Sequence, residues 1–230
     1  MNVVAIVPAL DEAEHIGGVV RGLLPCVDRI IVIDDGSRDG TGEIARAAGR
    51  VEIVRHERPR GVGAAIAAGM ARAWNADAAV VLAGDGQMDP LDLPALLGPI
   101  ARGEADLVKG NRLAWPGGAL RFPLPRLVGV VGLAAATRVA TGLAIDDAQC
   151  GYVAVGPRAL RGLPWSDLWP SFGYPNDLLS RAARLGLRVA EVPVRPIYGT
   201  ERSKLRARHL PGIAFVIGRA FAARLLARAK

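Results

Sequence analysis

The chain has 230 residues, 51% of them hydrophobic, enough to bury a full core as one domain of generous size, which excludes a disordered chain. Its two cysteines, Cys26 and Cys150, lie far apart with no second thiol or histidine at ligand spacing, which excludes a zinc ribbon and a disulfide framework and fits a reducing cytosol. The net charge of +7 is unevenly spread: residues 1–110 hold 11 Lys/Arg against 16 Asp/Glu, and residues 111–230 hold 18 against 6, so the second half is expected to meet something anionic.

The chain opens on a strand-like run at 3–7 with no basic stretch before it, so no signal peptide is expected. Further apolar runs at 30–33, 51–54 and 79–82 each precede a turn and a helix-like stretch, the rhythm of βαβ units and a parallel sheet. Asp11 with Glu14 reads as a capping box for a helix through Leu24, and Asp39 or Thr41 as the cap of a helix through Ala48. Pro90 suits the first turn of a helix through Ile100, and 106–109 reads as a short strand. In such a sheet ligands collect at the carboxyl ends of the strands, where 8–12, Asp34-Asp35 and 85–87 all fall.

Beyond Asn111 come a Pro/Gly-rich loop and an apolar segment, 127–145, interrupted by Thr137, Arg138 and Thr141 well short of the ~20 apolar residues of a membrane span. It is expected as a buried or lipid-facing helix. A loop at 164–177 concentrates Trp165, Trp169, Phe172 and Tyr174, which suggests a lid or acceptor wall beside core packing, and Asp177 follows at the opening of a helix. A strand at 187–194 precedes a basic tail; there is no repeat and no low-complexity linker.

Asp34 and Asp35 are neighbours on an extended chain and so point to opposite sides, which gives them different partners. One suits the adjacent loop or the next helix; the other can accept N–H donors from a nucleobase, unless both only form a turn. Asp85 and Gln87, separated by Gly86, would point to the same side of an extended chain and can share one hard cation, with phosphate oxygens and water filling its remaining positions. The alternative is that Asp85 or Asp89 satisfies free N–H groups at the start of the next helix.

VPALDE, IDDGSRDGT, GVGAAIAAG, AGDGQMDP, KGNR and YGTERSKL, in this order over residues 3 to about 205, resemble the family 2 glycosyltransferases. The resemblance is to the branch of dolichol-phosphate mannosyltransferases and other polyprenyl-phosphate glycosyltransferases. It implies an α/β fold of the GT-A type with a mostly parallel central sheet, a nucleotide-diphospho-sugar donor, inversion at the sugar carbon and a divalent cation, Mg²⁺ or Mn²⁺. By position it puts nucleotide contacts on Pro8, Leu10, Glu12, Ile33 and Asp35, and the metal motif on Ala83, Asp85 and Gln87. Arg112 and Lys204 match basic positions that neutralise the diphosphate, with Arg202 as a helper. Two departures stand out: Leu10 replaces an aromatic residue, and Ala83 replaces the first Asp of the D-x-D motif, leaving Asp85 and Gln87 to hold the ion.

The resulting expectation is a transferase acting on polyprenyl phosphate, an acceptor already ionised near neutral pH, with Asp177 orienting it; a hydroxyl or glycan acceptor would instead make Asp177 the first candidate base. Residues 1–205 would form the catalytic domain and 206–230 a basic, apolar helix at the anionic inner face of the cell membrane. A membrane-protein partner is the other route to that surface; nucleic acid is not expected as a partner. A nucleotidyltransferase would carry its glycine/arginine-rich phosphate loop where this chain has PALDEAEHI, and a phospho-receiver domain would be much shorter.

Overall fold

A computed structural model describes residues 1–197 and 207–228. Among them, seven strands form one sheet: β1 (Val3–Ala9), β2 (Arg29–Asp34), β3 (Glu52–Arg55), β4 (Ala78–Val81), β5 (Leu107–Asn111), β6 (Val153–Val155) and β7 (Val189–Pro193). Their order is β3-β2-β1-β4-β6-β5-β7. Strands β1 to β4 pair in parallel, as do β5 and β7, while β6 runs antiparallel between β4 and β5. The α/β fold and mostly parallel sheet are those expected; β6, only three residues long, is too short for a hydrophobic period to register.

The apolar strands follow from burial on both faces. Every residue of β1 is buried, so its sequence, VVAIVPA, runs apolar without alternation. Successive side chains nevertheless serve different cores. Val3, Ala5 and Val7 pack with α1 (Ile16–Leu23), α2 (Thr41–Ala48) and α4 (Leu93–Ala101), while Val4 and Ile6 pack with α3 (Val62–Met70), α6 (Pro157–Gly162) and α7 (Tyr174–Arg184). The chain leaves β1 for β2 on one side and returns to β4 on the other, which opens a crevice at the carboxyl ends of these strands.

Several boundaries differ from the sequence pattern. No capping box opens α1: it begins at Ile16 behind His15, without a side-chain cap, and Asp11 is drawn away to another loop. The apolar segment forms α5 (Leu124–Thr141) rather than 127–145, ended by Gly142 in the left-handed conformation. By length and composition α5 could cross a membrane, yet it packs against α7 and against α8 (Leu210–Arg228). Its threonines are satisfied internally, Thr137 donating to Leu133 O and Thr141 to Thr137 O, each at 2.7 Å. Arg224 of α8 reaches the carbonyl of Val139 near the end of α5, so the two helices lie side by side.

At the far edge, buried Asp106 accepts from the backbone N–H of Arg188 and from its guanidinium, and pairs with Arg158 of α6. The Arg188 hydrogen bonds outweigh burial and hold this carboxyl at about 2. One carboxylate thereby joins the starts of β5 and β7 to α6.

Candidate active site

At the end of β1 the chain turns through Asp11, whose φ of 51° makes it the one non-glycine residue at positive φ among the described residues. Aspartate tolerates this conformation when its short polar side chain finds a local partner. Here the partner is the loop after β2. Asp11 N–H donates to Ser37 Oγ (3.0 Å), Arg38 N–H to Asp11 Oδ1 (2.9 Å), Glu12 N–H to Thr41 Oγ1 (2.8 Å) and Ala13 N–H to Asp39 Oδ2 (2.9 Å). Two loops distant in sequence thus form one rigid wall.

The Asp34-Asp35 pair divides its work between two sides. Asp34, fully buried, accepts from Ser37 N–H at 2.8 Å and lies 3.2 Å from Arg55 Nη1. Asp35 accepts from Arg60 N–H (2.9 Å) and Gly61 N–H (2.8 Å), with His56 Nδ1 2.6 Å away. It is 3% exposed and borders the crevice. A carboxylate offers about four acceptor sites, so an N–H from a base edge can still be received.

After β4 the chain does not continue extended through Asp85, as the sequence reading assumed. Gly86 sits at φ 72°, a left-handed turn that suits glycine, and Asp85 Oδ1 accepts from Gln87 N–H at 3.0 Å. Asp85, Gln87 and Ala83 nevertheless line the same cavity. Among the described residues no cluster of three His, Cys, Asp or Glu side chains could hold a metal by itself. One carboxylate and one amide fit a hard cation that takes the rest of its shell from a diphosphate and water.

The opposite wall is basic. Arg112, just after β5, is held by the buried Asp147 through Nε (2.7 Å) and Nη2 (2.8 Å), and its guanidinium stacks 5.3 Å from the Phe122 ring. Burial alone would raise the Asp147 carboxyl, but the hydrogen bonds and charge of Arg112 keep it below its usual range. Glu191 of β7 fixes the acidic loop by accepting from the N–H groups of Asp146 and Asp147. Lys109, wholly buried, donates to Cys150 O, and burial lowers its pKa. Arg126, in the first turn of α5, stacks 5.7 Å from the same Phe122 ring.

These walls enclose a cavity of about 720 Å³. Of the residues singled out in the sequence, Pro8, Leu10, Glu12, Asp35, Ala83, Asp85, Gln87 and Arg112 line it. Ile33 is buried in the core beneath it, and Asp177 is not among the lining residues. Arg202 and Lys204 lie outside the described residues. The lining also includes Arg126 and Gln149, which sequence reasoning did not select, Tyr174 of the expected acceptor wall, and the apolar Val130 and Leu133 of α5 with Leu210 of α8. The one available signal for Arg126 was a charge in the first turn of a largely apolar helix. Tyr174 is buried, and that burial raises its phenol well above the usual range. The aromatic loop splits: Phe172 and Tyr174 face the cavity, whereas Trp165 is a core residue whose indole donates to Leu160 O at 2.8 Å.

A family model described as glycosyl transferase family 2 matches residues 4–151, more than half of the chain. The chain belongs to glycosyltransferase family 2. It is a nucleotide-sugar glycosyltransferase of the GT-A fold. This family 2 enzyme is 31% identical over 220 residues, 87% of each chain, to the UDP-N-acetylglucosamine–dolichyl-phosphate N-acetylglucosaminyltransferase of Methanococcus voltae. It is 32% identical over 206 residues to the undecaprenyl-phosphate mannosyltransferase of Micrococcus luteus, covering 84% of this chain and 83% of the relative. A crystal structure of glucosyl-3-phosphoglycerate synthase from Mycobacterium tuberculosis with Mn²⁺, UDP-glucose and phosphoglyceric acid superposes with a TM-score of 0.73 at 27% identity, covering 97% of this chain and 79% of the synthase.

Proposed function

We propose that this enzyme transfers a sugar, with inversion, from a nucleoside diphosphate to polyprenyl phosphate at a membrane surface. The observation that carries the reading is the composition of one continuous cavity. Its lining joins the polar Asp35, Asp85 and Gln87 and the basic Arg112 and Arg126 with the apolar Val130, Leu133 and Leu210. A molecule with an ionised phosphate on a long apolar chain matches the basic and apolar parts together. The names of the Methanococcus and Micrococcus relatives specify lipid phosphates of that kind.

In this reading Asp35 receives the base, and Pro8, Leu10 and Glu12 border the nucleoside. Asp85 and Gln87 are the residues that would hold Mg²⁺ or Mn²⁺, which when bound offsets charge on the departing diphosphate. Arg112 adds to that neutralisation, as do Lys204 and Arg202 by the family resemblance. Arg126 orients the acceptor phosphate so that its oxygen forms the new bond to the sugar carbon while the bond to the diphosphate breaks on the opposite face. An ionised acceptor needs no base. This accords with Asp177, whose carboxylate is engaged by Trp169 N–H, Arg181 and Arg219.

Attachment to the anionic inner face would use the exposed apolar residues Leu124, Val128, Val131 and Val139 of α5 and Phe215, Phe221, Leu225 and Leu226 of α8, with Arg121 and Arg208 nearby in the chain. A membrane-protein partner covering the same helices is the second route. A soluble acceptor is the second functional reading, favoured by the phosphoglyceric acid in the solved synthase. The test is radiolabel transfer from UDP- and GDP-sugars, with Mg²⁺, Mn²⁺ or chelator, to undecaprenyl phosphate in anionic vesicles or to 3-phosphoglycerate in buffer. Label in the organic phase, dependent on metal, is expected. Label confined to a water-soluble product would overturn the lipid acceptor.

A further inference from the structure

Asp177 is 2% exposed, yet it reaches three separate parts of the chain. Its Oδ2 accepts from Trp169 N–H and from Arg181 Nε, both at 2.9 Å, and its Oδ1 accepts from Arg219 Nη2 of α8 at 2.5 Å. The Trp169 indole packs against Phe215 of α8 at a 40° tilt, with 5.8 Å between ring centroids. It sits so close to α8 that a methyl group at Gly212 would come within 3.2 Å of it. The carboxylate and the indole together bind the aromatic loop to α8.

On its other side the same loop grips the start of α3. Gly63 N–H donates to Pro170 O at 2.9 Å. A Cβ at Gly63 would lie 1.9 Å from Trp169 O, and one at Gly61 would lie 2.3 Å from Pro170 O, so the loop backbone is seated directly on these two glycines. Gly61 N–H in turn donates to Asp35 Oδ2, and Arg60 N–H to Asp35 Oδ1. A continuous series of close contacts therefore runs from Arg219 through Asp177, Trp169 and Pro170 to the residues that orient Asp35.

We propose that Asp177 is a positioning residue at the centre of this strut, which makes α8 part of the nucleotide pocket although neither Asp177 nor Arg219 lines the cavity. The proposal rests on the reading of Asp35 as the nucleotide-contacting carboxylate. Charge-assisted hydrogen bonds are about twice as strong as neutral ones, so releasing Arg219 loosens Asp177, then the Trp169-Pro170 backbone, then the 60–63 segment. Coupling of this kind is demonstrated by a response at the far end, not by the chain of contacts.

The far end is readable by amide hydrogen exchange in the full-length protein, comparing wild type with Arg219→Gln, Arg219→Lys and Asp177→Asn. Arg219 is a half-exposed residue, so its variants test the strut even where Asp177→Asn fails to fold. For Arg219→Gln the expected result is exchange about tenfold faster at Arg60, Gly61 and Gly63, the scale of one lost charge-assisted hydrogen bond, with β1 unchanged. Arg219→Lys should restore most of the protection. Calorimetry with UDP and with GDP should show weaker binding by roughly three- to tenfold, raising donor KM more than it lowers kcat. Faster exchange confined to α8 and the aromatic loop would overturn the strut. Exchange that spreads to Gly61 while the affinities for UDP and GDP stay the same would uphold the strut and overturn the nucleotide role of Asp35.

Discussion

Around β1 and β2 the cavity wall is stitched by hydrogen bonds between backbone N–H groups and the side chains of Asp11, Ser37, Asp39 and Thr41, whereas around α5 and α8 it is apolar helix surface edged with arginines. The first wall is built to hold a fixed shape, since each bond removes an alternative conformation of a loop. The second has few directional contacts and offers area and charge. A donor recognised by its base and diphosphate needs the first kind; an acceptor recognised by an apolar chain and a phosphate needs the second. The contrast makes each wall separately breakable.

The sharpest break is at Asp85, which also lines the cavity. Asp85→Asn keeps the shape and the turn but removes the charge, and turnover should fall on the order of 10²–10³-fold across a Mg²⁺ or Mn²⁺ titration, while the melting temperature stays near that of the wild type. Gln87→Ala should be milder in the same assay. Next is Arg126→Ala, which should lower kcat/KM for polyprenyl phosphate by roughly 10- to 100-fold, the range of a lost hydrogen bond to a charged group. Slow hydrolysis of the donor by water should be nearly unaffected; an equal loss in both would move Arg126 to the donor side.

Asp35→Ala breaks the stitched wall instead, and nucleoside diphosphate affinity measured by calorimetry should weaken about tenfold. The smallest effect is expected far from both walls. Asp106→Asn should cost about 1 kcal/mol of stability at pH 7, since both arginine partners are more than half exposed, seen as a lower urea midpoint. The folded carboxyl lies at about 2, below its unfolded value near 4, so the stabilisation is fully present above pH 4. It is lost as pH falls toward 2, and the gap between variant and wild type should narrow over that window.

How much of this was legible in the sequence differs between the walls in the same way. The ends of β1, β2 and β4 could be read because a buried apolar run is stopped by a carboxylate and a glycine, and that local contrast persists whatever the rest of the chain does. Arg126 could not, because it is one of two arginines on a largely apolar helix and nothing local tells it from Arg138; its stacking with Arg112 on the same Phe122 ring is a contact between distant parts of the chain. Asp177 was visible as an acid near a helix start with Arg181 four residues on, but its other two partners stand 8 and 42 residues away, and no local pattern encodes their arrival. The turn at Gly86 was missed because two-residue spacing was taken to imply an extended chain, whereas glycine there accepts the left-handed conformation.

The antiparallel strand β6 acts as a spacer. By lying between β4 and β5 it sets the ends of those strands, from which the Asp85 loop and Arg112 depart, two strand widths apart, about 10 Å in a sheet of ordinary spacing. Just ahead of β6 stands Gly151, a lining residue of the cavity, where even a methyl group would press on the Tyr174 hydroxyl. A three-residue strand thus sets the gauge between the loops on either side of it.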